Sequence, residues 1–120
     1  MVLETDDLVG FLDHRPLFKG HTLIVPRDHH GTLSDLPPQL LTSVFTAAQR
    51  LARVMPAELD AQGTFVAMNN IVSQSVPHAH VHVVPRTKGD GLRGFFWPRT
   101  KYAEGEAAEY ASRLRAAYDA

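Results

Sequence analysis

Residues 78–84 read His-Ala-His-Val-His-Val-Val, an alternation of imidazole and apolar side chains. A period of two is the period of a β-strand, on which residues i, i+2 and i+4 share one face. The pattern predicts a strand from Val76 to Pro85, with Ala79, Val81 and Val83 in a core and three imidazoles on the opposite side. On a regular strand those residues lie about 6.6–6.8 Å apart at their Cα atoms. A strand buried on one side needs neighbouring strands and a covering layer, so this segment commits the chain to a sheet-based domain.

The rest of the chain supplies the partners. Val9–Leu12 is an apolar run closed by the turn residues Asp13-His14-Arg15-Pro16, and His21–Val25 is a β-branched run closed by Pro26. Leu8 to Val25 thus predicts a hairpin with a long loop. Ser34-Asp35-Leu36-Pro37-Pro38 has the form of a helix start, where the missing proline N–H costs no intrahelical bond. Leu40, Leu41, Val44, Phe45, Ala48, Leu51, Ala52 and Met55 follow at helical spacing and predict one buried stripe, with Pro56 as the stop. Gly63–Asn69 predicts a third strand and Asn70–Ser75 a polar connection. Arg86–Arg99 reads as an irregular glycine-containing loop. Glu104–Tyr118 predicts a second helix, with Ala107, Tyr110, Ala111, Leu114 and Tyr118 on one side. The order β–β–α–β–β–α gives an α+β domain, an antiparallel sheet covered by helices.

Composition narrows the function. At 120 residues the natural reading is one domain. Twelve Lys and Arg against thirteen Asp and Glu leave a net charge of −1, which argues against nucleic-acid binding through bulk charge. There is no cysteine, so disulfides, thiol catalysis and Cys-ligated zinc are excluded. No apolar run approaches the ~20 residues of a membrane span. The acidic opening lacks the basic and apolar regions of a signal peptide, so the expected address is the cytoplasm.

Histidine is the residue that stands out: three of the seven fall within five positions. Imidazoles that titrate near neutrality, fixed in a row, suit phosphate chemistry. A neutral ring can attack or take a proton, and a protonated one can neutralise phosphate oxygens or protonate a leaving group. The plain alternative is a solvated polar strand face. The sharper rival is a metal site, because His-x-His is a common chelating pair. Its donors would be His78 and His80, with His21, His29 or His30 as a third. No acidic residue follows His82, where Val83, Val84, Pro85 and Arg86 stand.

The segment His78–Val84 is similar to the signature of the histidine triad (HIT) family, His-φ-His-φ-His-φ-φ with φ apolar. Gln74-Ser75-Val76 resembles the family's lead-in. Phe11-Leu12-Asp13, Pro16 and Gly20–Pro26 resemble its amino-terminal hairpin, and Asp35-Leu36-Pro37 fits the entry to its long helix. The resemblance implies a single HIT-like domain over 1–120. Its motif-bearing part is about 2–90, and a basic, aromatic loop and C-terminal helix fill 91–120. Two departures stand out: the connection from Asn69 to Gln74 is shorter than usual, and the Cys-x-x-Cys of zinc-containing relatives is missing. No structural zinc is therefore expected, and His29 and His30 are not read as its remnants.

For function, the resemblance implies a nucleotide hydrolase or transferase. It would cleave a phosphoanhydride or phosphoramidate bond at the α-phosphate of an adenosine-like nucleotide. His80 would be the nucleophile and would carry a covalent nucleotidyl-histidine. His78 would position it through a backbone carbonyl, His82 would contact phosphate oxygens, and His21 would complete a cluster of four. Gln74 and Ser75 would bond the phosphate and leaving group, Asp13 the ribose hydroxyls, and Asn69, with Asn70 as the alternative, the nucleotide. Leu8 and Phe11 are candidate walls of a base pocket. Arg86 and Lys88 would meet distal phosphates. The Pro-Arg-x-x-Gly-Asp pattern resembles the Fhit branch, which cleaves diadenosine polyphosphates, whereas Gln-Ser-Val and Trp97-Pro98 resemble the Hint branch, which cleaves adenosine phosphoramidates. Phe95-Phe96-Trp97 is expected to pack on the domain or a partner chain. The implied assembly is a homodimer with a small-molecule nucleotide substrate, no membrane, and no required cofactor; a divalent cation arriving with the substrate stays open. Rival readings are a nucleotide sensor without turnover, a metal-dependent hydrolase using the His-x-His pair, and an enzyme acting on adenylylated nucleic-acid ends, which the near-neutral charge disfavours.

Overall fold

Strand β3 (Thr22–Pro26) alternates buried and half-buried residues along its length, as a strand with one face in a core must. It pairs on one side with β2 (Leu8–Leu12) and on the other with β5 (Val81–Arg86). With β1 (Leu3–Glu4) beyond β2 and β4 (Gly63–Ala67) beyond β5, the sheet runs β1-β2-β3-β5-β4, antiparallel throughout. These elements, in a computed structural model that describes residues 1–92 and 99–120, lie in a first unit, Met1–Asp90.

Register decides what each face carries. Gly10 lies opposite Ile24, Ile24 opposite Val81, and Thr22 opposite Val83. That face receives helix α1 (Pro38–Glu58), whose Leu40, Val44, Ala48 and Met55 join Leu8, Ile24, Val81 and Val83 in the core. The alternate residues Phe11, Leu23 and His82 form a row across the other face. Leu3 crosses Gly10 closely enough that a Cβ there would stand 2.6 Å from Leu3 Cγ, so this pairing needs glycine.

The α+β class is as expected, and several boundaries are not. β1 has two residues and no periodicity to betray it. α1 runs through Pro56 to Glu58. Pro56 removes one backbone donor, yet Met55 is buried beside it and the Leu59 N–H reaches the Met55 carbonyl at 2.9 Å, so the helix gains another turn. The buried stripe is narrower than the spacing suggests, since Leu41 and Phe45 are exposed. β5 starts at Val81 rather than Val76. Pro77 cannot donate to a ladder, and the His78 N–H turns back to the Val76 carbonyl at 2.8 Å. Of the three signature histidines, only His82 is a rung of the sheet.

The second unit, Gly91–Ala120, holds helix α2 (Glu106–Asp119), which begins after Gly105 at φ 76°. The Ala103 N–H donates to Glu106 Oε1 at 3.0 Å, and Arg113 lies over the Tyr110 ring. Arg93, Phe95-Phe96-Trp97 and Pro98 lie outside the described residues. No described helix is long and apolar enough to cross a membrane.

Candidate active site

The four histidines expected to cluster are brought together, by two different devices. His82 stands on β5 opposite Leu23, and His21, just before β3, shares that face as its diagonal neighbour. His21 Nε2 lies 2.9 Å from His82 Nδ1. His80 and His82 meet edge to face with ring centroids 5.0 Å apart. His78 joins through the backbone: its carbonyl lies 2.7 Å from His80 Nδ1.

The partners of these rings fix their tautomers. A backbone N–H only donates and a carbonyl only accepts. The Leu17 N–H donates to His21 Nδ1 at 3.1 Å, so neutral His21 carries its proton on Nε2 and gives it to His82 Nδ1. Neutral His82 then carries its proton on Nε2. His80 donates through Nδ1–H to the His78 carbonyl, which leaves the lone pair on Nε2. His78 donates through Nε2–H to the Pro26 carbonyl at 2.8 Å.

Burial favours the neutral form of the inner pair. Desolvation lowers the His21 pKa, opposed by Asp13, whose carboxylate is 3.8 Å from Nε2. Desolvation also lowers that of His82, with His80 and His21 adding to it and Asp13 opposing. The consequence for stability has a definite sign. As pH falls through about 6.5, unfolded histidines bind protons that folded His21 and His82 refuse. Stability is therefore full above that pH and drains as the pH drops toward the lowered folded values. The melting temperature should fall between pH 7 and 5, less steeply in His82→Gln; a wild-type curve flat over that range would contradict the burial of the pair.

A cleft of about 210 Å³ opens beside these rings, lined by Phe11, Leu23, Val25, Val76, His78 and His80. It combines apolar walls with two imidazoles, which suits a flat heteroaromatic ligand carrying an anionic group. Phe11 is thus a wall, whereas Leu8 is buried in the core under α1. Leu23, Val25 and Val76 escaped the sequence reading; the strand register of Phe11 and His82 would have pointed to Leu23.

The other expected residues are placed as follows. Asp13 accepts from the Arg15 N–H at 2.9 Å and faces His21. Gln74 braces its own turn: its Oε1 accepts from the Ile71 N–H at 2.9 Å and its Nε2 donates to the Gly31 carbonyl at 2.6 Å. That turn holds Ile71 and Ser73 at φ 70° and 62°, the left-handed region. Asn70 Oδ1 accepts from the Leu33 N–H at 2.8 Å, while the Asn69 and Ser75 side chains are exposed. Arg86 pairs with Asp90 through two bonds of 2.6 and 3.1 Å, and the Lys88 N–H donates to Gln62 Oε1.

Two groups have donor atoms close enough to suggest a metal. Asp13, His21 and His82 gather one ligand atom each, but Leu17 and the proton shared between the rings occupy the nitrogens of His21. A metal on Nε2 would force a proton onto Nδ1, against the Leu17 N–H. His29 Nδ1 and His78 Nδ1 lie 3.2 Å apart, and among the described residues no third His, Asp or Glu completes that pair. Neither group fits a resident metal as arranged. His29 entered the sequence analysis only as a candidate third metal ligand; its place just past β3, the strand that pairs with β5, was the available signal for its contact with His78.

Comparison with known proteins places this geometry. The HIT domain model matches residues 1–89. An uncharacterized HIT-like protein of Mycobacterium tuberculosis is 38% identical over 93 residues, 76% of this chain and 65% of its own length. The adenosine 5'-monophosphoramidase of Saccharomyces cerevisiae is 36% identical over 99 residues, covering 81% and 60%. The asymmetrical bis(5'-nucleosyl)-tetraphosphatase of Schizosaccharomyces pombe is 34% identical over 83 residues, covering 68% and 46%. The chain thus spans less than two thirds of the length of these relatives. A Zn-bound histidine triad family protein from Mycobacterium smegmatis superposes with a TM-score of 0.72 at 39% identity, over 77% of this chain and 68% of that one. A Bacillus subtilis structure superposes with a TM-score of 0.79 at 30% identity, over 95% and 84%.

Proposed function

The chain belongs to the histidine triad (HIT) family, and from that premise we propose that it is a nucleotide hydrolase or transferase acting at the α-phosphate of an adenosine-like nucleotide. The observation that carries the reading is the bond from His80 Nδ1–H to the His78 carbonyl, which leaves the Nε2 lone pair for attack. Relatives named adenosine 5'-monophosphoramidase and bis(5'-nucleosyl)-tetraphosphatase support a nucleotide substrate.

In this reading the Nε2 lone pair forms a bond to phosphorus. The bond from phosphorus to the leaving oxygen or nitrogen breaks, its electron pair departs with the leaving group, and a leaving nitrogen takes up a proton from solvent as it goes. The imidazolium so formed keeps its Nδ1–H on the His78 carbonyl. His82 Nε2–H donates to a phosphate oxygen. Water then attacks phosphorus, the N–P pair returns to Nε2, and one proton goes to solvent. The base lies in the cleft against Phe11, Leu23, Val25 and Val76. Asp13 accepts from the ribose, and Ser75 and Asn69, both exposed, reach the nucleotide. Gln74 acts by holding its turn. Because the Arg86 guanidinium is engaged by Asp90, a small leaving group is favoured over a string of distal phosphates. The reading includes a cytoplasmic homodimer with no resident cofactor, for which exposed Leu41, Phe45 and Val66 offer apolar contact surface.

The test is to offer an adenosine 5'-phosphoramidate and a diadenosine tetraphosphate separately, and to map any acid-labile adenylyl adduct by mass spectrometry. We expect faster turnover of the phosphoramidate and an adduct on His80. Binding of both without turnover or adduct would leave a nucleotide sensor and overturn the enzymatic reading.

A further inference from the structure

The loop that follows β3 takes no part in the chemistry above, yet it grips the segment that orients the nucleophile. The His78–Ala79 peptide is one rigid plane. On one side its carbonyl receives His80 Nδ1–H at 2.7 Å. On the other its N–H donates to the His30 carbonyl at 2.6 Å. Residues 78–80 lie ahead of β5, which begins at Val81, and the loop after β3 holds their peptide through the His30 carbonyl.

The side chain of residue 78 is gripped as well. Its Nε2–H must point at the Pro26 carbonyl, so in the neutral ring Nδ1 is a bare lone pair. His29 Nδ1 stands 3.2 Å from it, with the rings edge to face at 5.0 Å. Two lone pairs facing each other would repel, so His29 carries its proton on Nδ1 and donates it. From this arrangement we propose that His29 is a positioning residue for the nucleophile. Its Nδ1–H holds the His78 ring, and with the His30 carbonyl it sets the peptide whose oxygen selects the His80 tautomer. The proposal rests on His80 being the attacking group.

The experiment uses the full chain with His29→Ala and His29→Asn. The Asn amide N–H can stand where Nδ1–H stood. Nitrogen-edited NMR of the nucleotide-free proteins reads the ring tautomers, and steady-state kinetics on an adenosine 5'-phosphoramidate reads kcat and KM. Wild type should show His78 protonated on Nε2 and His80 on Nδ1. His29→Ala should mix both tautomers and lower kcat about tenfold, with KM within about twofold, since misplacing an attacking atom affects the reaction more than binding. His29→Asn should recover most of both. Unchanged tautomers and kcat in His29→Ala, or an Asn variant no better than Ala, would overturn the proposal. Tautomers that respond as expected in a protein that turns over neither this phosphoramidate nor diadenosine tetraphosphate would uphold the positioning and defeat the enzymatic reading instead.

Discussion

Replacing His80 with Ala should lower turnover by about 10⁴-fold or more while changing nucleotide affinity less than about tenfold. The asymmetry follows from where the ring sits. His80 is one of six residues lining the cleft, and Phe11, Leu23, Val25 and Val76 remain to hold the base. What disappears is the Nε2 lone pair, and no other ring in the cluster presents one. His82 carries its proton on Nε2 and uses Nδ1 to accept from His21, and both nitrogens of His78 are engaged. A factor of 10⁴ corresponds to about 5.5 kcal/mol of transition-state stabilisation. Single-turnover kinetics beside calorimetric titration with a nucleotide separates the two quantities. A variant that turns over like wild type would remove His80 from the role of nucleophile.

The largest effect on stability is expected at Ile24. Its side chain is fully buried on the middle strand, between Gly10 on β2 and Val81 on β5, in the core cluster that includes Val44 and Ala48 of α1. Ile24→Ala leaves a cavity at the centre of that layer and should cost about 3–4 kcal/mol. For a domain whose total stability is about 5–15 kcal/mol, that is a large share. The melting temperature should drop by about 12–24 °C. Urea unfolding checks this through a lowered midpoint at unchanged slope. A loss under about 1 kcal/mol would mean that β3 does not carry the core.

How much of this was legible in the sequence depended on whether local pattern or long-range contact decided each feature. The period of two in 78–84 gave the sheet and the core face of Val81 and Val83, because alternation is a local property of strands. The helical spacing after Pro37 gave α1 for the same reason. The start of β5 was misjudged because alternation persists through residues that pair with nothing: Pro77 and the turn at Val76 cancel the ladder without disturbing the pattern. β1 was invisible because two residues carry no period. In the site, the identities of His21, His78, His80 and His82 were readable from the resemblance, and their tautomers were not. Those depend on the Leu17 N–H and the Pro26 carbonyl, backbone atoms that any side chain would supply. His29 was named only as a possible metal ligand, and its bond to His78 was not foreseen because the two lie 49 positions apart.

The pairing of Leu23 with His82 also ties the proposed chemistry to folding fidelity. Strand faces alternate residue by residue, so an offset of one position between β3 and β5 would drive His82 into the oily layer beneath α1 and turn Val83 outward. Such a chain would lose its packing and its chemistry in the same step. Misassembled molecules would then be inert rather than partly active, and specific activity would serve as a direct count of correctly zipped chains in a preparation.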